Sequence, residues 1–183
     1  MRTSIKSPAA RALRPLLIVA SLAALFSLML TPASAATTTP TATTVNTATF
    51  TARVVQLTNA ERARVGLAPL TVNAHLTTAA QSYAGVLAQD ACFAHTCGRQ
   101  PDLGKRLQAA GYTFTGYRSW TYGENIAAGY TTPEAVVAGW MASPGHRANI
   151  LNARFKEIGV GLVYRPGSRY RYYWVQDFGA RTK

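Results

Sequence analysis

Three side chains in this sequence combine chemical capacity with a dense local pattern: His95, Glu124 and His146. Two neutral imidazoles and a carboxylate could hold zinc or another divalent ion with open positions, or carry out general acid–base work. Each could equally satisfy backbone donors, Glu124 by fixing a Gly-Glu-Asn turn. Cys92 and Cys97 enclose His95 within Phe93-Ala94-His95-Thr96. An even cysteine count in an exported chain favours a disulfide, with two thiolates plus His95 on zinc as the alternative. No pair of carboxylates stands out for glycoside cleavage, and no serine has the context of a nucleophile elbow.

The elements that must position these groups are signalled locally. Thr132-Pro133-Glu134 reads as an N-cap, an N1 proline and an acid in the first helical turn. Val136, Val137, Trp140 and Met141 follow at helical spacing. Ser143-Pro144 ends that helix and is expected to cap the next, placing His146 in a first turn. Upstream, Thr51 is the expected cap of a helix carrying Val54, Leu57, Glu61 and Val65. A second helix from Asn73 aligns Leu76, Ala80, Tyr83, Ala84 and Leu87, and a third short one starts at Asp102 and closes at Gly111. His75 is expected to be exposed and without a role. The segment from Tyr112 to Trp120 is ambiguous and is expected to be strand with a glycine turn. The period changes near the end: Ile158, Val160, Leu162 and Tyr164 alternate, as do Tyr170, Tyr172, Trp174, Gln176 and Phe178 beyond the turn Arg165-Pro166-Gly167-Ser168. That pattern predicts an antiparallel hairpin, with Gly159 and Gly161 marking the close approach of another element. Helices first and strands last imply a small α+β sandwich.

The chain has 183 residues, 19 Lys and Arg against 7 Asp and Glu, and a formal net charge of +12. Arg2, Lys6, Arg11 and Arg14 precede the apolar run Leu16 to Leu30, and Ala33-Ser34-Ala35 supplies a small-x-small pattern. This is the layout of a secretory signal peptide over 1–35, cut near Ala36, with an uncleaved anchor as the alternative. The apolar run is shorter than the roughly 20 residues a membrane span needs. Residues 36–50 are rich in Thr and Ala and read as a linker, leaving 51–183 as one domain. The mature chain stays basic, which suits anionic surfaces such as phospholipid headgroups or acidic wall polymers. The scattered basic residues and the absence of a reading motif argue against nucleic acid.

The runs NAERARVGLAPL, CFAHTCG, YGENIAAG, WMASPGHRANIL and FKEIGVGLVY, in that order and spacing over about residues 52–179, resemble the CAP superfamily (cysteine-rich secretory, antigen 5, pathogenesis-related class 1). They are most similar to its bacterial secreted SCP-like domains. The resemblance implies an α-β-α sandwich with a central antiparallel sheet flanked by helices and a cleft, whose tetrad is two histidines and two acids. By motif these fall on His95, Glu124 and His146. The second acid is missing: Ser143 is its nearest counterpart and Glu134 lies a turn and a half too early. A weak divalent-metal site (zinc or magnesium) on His95 and His146 is therefore expected, with no catalytic residue assigned. The expected protein is a monomer, secreted or held at the cell envelope, and binds a lipid, sterol-like ligand or anionic envelope polymer. A metal-assisted hydrolase and a surface interaction protein with a vestigial cleft are the alternatives.

Overall fold

In the computed structural model, the residues described are 45–89 and 92–183. The expected signal peptide and most of the expected linker lie outside them. The linker's last residues, 47–50, are instead the first turn of α1 (Thr47–Ala63), whose cap is Asn46, its side chain accepting from the Thr49 N–H. The helix thus starts one turn before Thr51, because an asparagine cap was available there.

After α1 come β1 (Thr71–Val72), α2 (Ala74–Gln89), α3 (Leu103–Ala109), β2 (Ser119–Ala128), α4 (Pro133–Ala142), α5 (Pro144–Ile150), β3 (Glu157–Tyr164) and β4 (Tyr172–Thr182). The strands form one sheet in the order β1-β3-β4-β2. β2, β3 and β4 are antiparallel, and the two-residue β1 adds a short parallel edge to β3. The α+β sandwich expected from the sequence is the observed architecture, with this parallel pair as its one addition.

Side chains alternate across a strand, so β3 and β4 send Ile158, Val160, Leu162, Trp174 and Phe178 to one side. There they join Val54 of α1, Val136 and Trp140 of α4 and Ile150 of α5. The opposite side packs on α2, where Ala80, Tyr83, Ala84 and Leu87 meet Tyr173 and Val175. Gly159 and Gly161 face α2 so closely that a Cβ would stand 2.1 Å from the Leu76 backbone and 2.4 Å from that of Ala80. The sequence reading of these glycines as a close approach is what the structure contains.

Three local expectations change. Gly123-Glu124-Asn125 is not a turn but the middle of β2. Tyr112 to Arg118 is a loop with a glycine turn, and strand begins at Ser119. Ser143 ends α4 and occupies the cap position of α5, yet its side chain makes no capping hydrogen bond. α5 is secured from its other end: Arg62, buried in α1, donates to the carbonyls of Ile150 (2.8 Å) and Asn152 (2.9 Å). A cation at a helix C-terminus satisfies carbonyls that have no partner within the helix.

Candidate ligand cleft at His95, Glu124 and His146

β2 is an edge strand, paired only with β4, and Glu124 lies opposite Asp177 in that pairing. Its side chain points to the α2 and α3 side, is buried, and has both oxygens engaged. Oε1 meets His95 Nδ1 at 2.8 Å, and Oε2 accepts from the Arg106 guanidinium of α3 at 2.6 Å. Arg106 also donates to the carbonyls of His95 and Pro101, both at 3.0 Å, and lies 3.6 Å over the centre of the Tyr83 ring. The Tyr83 hydroxyl donates to the Ala94 carbonyl at 2.7 Å. The loop bearing His95 is thereby fastened to α2, α3 and β2 at once, and closed by the Cys92–Cys97 disulfide. With both sulfurs in that bridge, the thiolate–zinc alternative falls away.

The His95 side chain remains 58% exposed while that of Glu124 is 2% exposed. The hydrogen bond that His95 donates to Glu124 raises the His95 pKa above its ordinary value; burial works the other way, and the Glu124 charge adds to the rise. His146, in the first turn of α5, is pushed below its ordinary value by burial and further by the charge on His95. The two histidines are therefore shifted in opposite directions.

α5 is tied to the free edge of β2 by amides. Asn149 Nδ2 donates to the Glu124 carbonyl (3.1 Å) and to Asn125 Oδ1 (2.9 Å), and Asn125 Nδ2 donates to the His146 carbonyl (3.1 Å). Behind them Asn125 also donates to Gln176, which donates to Thr58 of α1. These bonds satisfy edge-strand groups that would otherwise lack partners. They hold the histidine of α5 in register with the carboxylate of β2.

The structure thus brings His95 and Glu124 into contact and sets His146 where it feels the charge on His95. Glu134 does not join them: it is exposed in the first turn of α4 and pairs with Arg53 of α1 at 2.8 Å. Sequence reasoning missed Arg106, Tyr83 and Asp177. Arg106 reads as one more surface cation on a short helix. Asp177 lies in an aromatic alternation and is fully buried beside Glu124, its Oδ1 without a hydrogen-bond partner among the described residues. Burial pushes its carboxyl well above the ordinary range, the Glu124 charge adds to this, and Arg106 opposes it. Among the described residues, no group of three or more His, Cys, Asp or Glu is arranged to hold a metal ion. The donors that remain are two imidazoles, since Glu124 is already shared between His95 and Arg106.

Residues 55–178, which span both histidines and the carboxylate, match the family described as CAP, Cysteine-rich secretory protein family. The chain belongs to the CAP family. Relatives of this CAP domain include Bacillus subtilis (strain 168) YkwD, 41% identical over 126 residues, covering 69% of this chain and 45% of that protein. The membrane protein YlbC of the same organism is 30% identical over 126 residues, covering 69% of this chain and 33% of its own length. The chain therefore spans less than half the length of these relatives. Among solved structures, an extracellular protein containing a SCP domain from Bacillus anthracis str. Ames superposes with a TM-score of 0.63. It is 29% identical and matches over 75% of this chain and 41% of its own.

Proposed function

We propose that this CAP domain is an extracellular or envelope-associated binding module whose cleft takes a lipid headgroup or other anionic envelope component. The observation that carries this reading is the commitment of Glu124. With one oxygen on His95 and the other on Arg106, both carboxylate oxygens already have partners. The carboxylate orients the imidazole, whose exposed Nε2 edge can donate to an anion when the ring is charged. Export is supported by the leader-like residues 1–35 and by the extracellular description of the Bacillus anthracis relative.

Hydrolysis needs an activated water or nucleophile and a group that stabilises developing charge. Here the Glu124 carboxylate is occupied and the cysteines are bridged. Binding requires only the fixed imidazoles and a basic exterior. Flotation with phosphatidylglycerol vesicles tests this: the wild-type domain co-floats, releases as salt rises, and H95A/H146A co-floats at about a tenth of the wild-type level, a loss of roughly 1.4 kcal/mol. Equal flotation of the double variant would reject the cleft as the binding site. No turnover of casein, peptides, esters or peptidoglycan above a H95A/E124A control is expected, with zinc or magnesium added.

A second reading rests on the bond from His95 Nδ1 to a carboxylate. Metal-binding histidines are oriented by such a bond, which leaves Nε2 as the ligand. The residues that would hold a divalent ion are His95 and His146, and a bound ion would supply a positive charge for an anionic ligand. Two imidazoles fall short of the three or four protein ligands of a tight zinc site. Calorimetry with zinc is expected to give micromolar or weaker affinity, abolished in H95A/H146A.

A further inference from the structure

The end of the sheet where the start of β2 pairs with the end of β4 carries a set of rings and cations that the cleft does not use. Trp120 and Tyr122 project from the same face of β2 and are 49% and 40% exposed. Phe114, in the preceding loop, lies nearly parallel to both, with ring centres 5.1 Å from Trp120 at 11° and 5.7 Å from Tyr122 at 15°. Arg181, opposite Trp120 in the strand pairing, is held flat over Tyr112 (4.0 Å) and near Tyr117 (4.8 Å). The rings are therefore immobilised as a row of plates, and contiguous exposed aromatic surface of this kind marks an interaction site.

Residues alternating with Trp120 build something different on the other side of the strand. Ser119, Thr121, Thr182 and Arg154, with Trp120 at the rim, line a groove of about 360 Å³. Three hydroxyls can each donate and accept, and the Arg154 side chain makes no hydrogen bond within the described residues. Arg118, Arg154 and Lys156 are all exposed at this end of the sheet. The acid near them, Glu157, is engaged by Tyr112, Asn73 and Arg181.

We propose that this end of the sheet is a binding surface for an acidic polysaccharide, separate from the His95 cleft. A sugar ring presents a face of C–H groups that packs on the electron-rich face of an aromatic plate, and a rim of hydroxyls and carboxylates that the groove and its arginines can meet. A membrane would be served by the rings but not by a groove of serine, threonine and arginine, whose polar groups would be desolvated against acyl chains. Because plates and groove flank the same edge strand, a chain of several sugars crossing that edge engages both, and a single sugar does not.

The probe is polygalacturonate, with neutral laminarin and phosphatidylglycerol vesicles beside it, read by quenching of tryptophan fluorescence and by affinity electrophoresis. The wild-type domain is expected to be retarded by polygalacturonate at least tenfold more strongly than by laminarin. Trp120→Ala should abolish the retardation, Trp120→Phe should restore part of it, and Arg154→Gln should reduce the preference for the acidic polymer. His95→Ala should leave it unchanged, which separates this surface from the cleft reading. Both positions are exposed, so unchanged circular dichroism confirms folding. Equal retardation of wild type and Trp120→Ala, or Trp120-dependent flotation with vesicles in the absence of polysaccharide binding, overturns the proposal.

Discussion

The two sides of the sheet are built on different physics. Under α1, α4 and α5 the strands bury Ile158, Val160, Leu162, Trp174 and Phe178 against hydrocarbon, and the polar exceptions are the amides Asn125 and Gln176. Under α2 and α3 the same strands bury Glu124 and Asp177, answered by Arg106, beside glycines that admit the helix backbone. The first side supplies stability by area removed from water. The second spends part of that stability to hold a histidine at a fixed place, since buried charges are compensated only by good partners.

The largest effect that tests this contrast is the loss of a partner on the charged side. Arg106→Ala leaves Glu124 buried beside Asp177 and should cost about 3–5 kcal/mol, read from urea unfolding. Trp174→Ala on the other side should cost a similar amount, about 3–5 kcal/mol, by cavity formation. The two are told apart by adding Glu124→Gln. Removing the orphaned charge should recover much of the loss in the Arg106 variant and none in the Trp174 variant, a coupling that a double-mutant cycle isolates. Additive behaviour in both would mean that Arg106 acts by packing alone.

Next in size is the close approach of α2. Gly161→Ala puts a Cβ within 2.4 Å of the α2 backbone, where nothing flexible can yield. A cost of about 1–3 kcal/mol or more is expected. Gly85→Ala, with open space around it, should be neutral or slightly stabilising because alanine favours helix. Equal effects at the two positions would show that α2 rides more loosely on β3 than the spacing implies.

The hydrocarbon side was the legible one. The alternation from Ile158 to Tyr164 and from Tyr172 to Phe178 announced the hairpin, and Thr132-Pro133-Glu134 announced α4, because these signals are local and periodic. Gly159 and Gly161 announced a neighbour without naming it. Of the polar site on the charged side, only His95 and Glu124 were legible. Arg106 and Tyr83 carry no local sign of their role, since what they do depends on α3 and α2 arriving at one carboxylate from distant parts of the chain. Glu124 was placed in a turn for a related reason: Gly-Glu-Asn is turn-like composition, and the pairing with β4 overrides it. Arg62 was hidden in the same way, its contacts lying on the far side of the chain at Ile150 and Asn152.

A smaller effect concerns the loop on the charged side. Cys92 and Cys97 close a loop of sequence separation 5, for which the chain-entropy argument gives about 2 kcal/mol. Reduction should lower stability by about that amount. It should also weaken vesicle flotation beyond what the stability change explains, since His95 lies inside the loop. Free thiols found in unfolded, unreduced protein would contradict the bridge outright.

The smallest effect at a single pH, but the one most particular to the charged side, is the titration of Asp177. The groups facing it are Glu124 from β2 and Arg106 from α3, and among the described residues its Oδ1 has no hydrogen-bond partner. Its folded pKa is raised above the unfolded value of about 3.9. Between those two values the folded state holds a proton that the unfolded state has released, so stability falls as pH rises. The contribution is fully present below the unfolded pKa and is lost as pH climbs through the raised folded one. Asp177→Asn keeps the shape and removes the titration. The two proteins should have similar stability in acid below the carboxyl range, and the wild type should fall progressively behind the variant as pH increases. The difference curve from urea unfolding at a series of pH values reads Asp177 together with its neighbour Glu124, while the distant carboxylates cancel. A difference that stays flat across the series would mean that Asp177 ionises in the fold as readily as in the open chain, and that the field of Arg106 offsets both burial and Glu124.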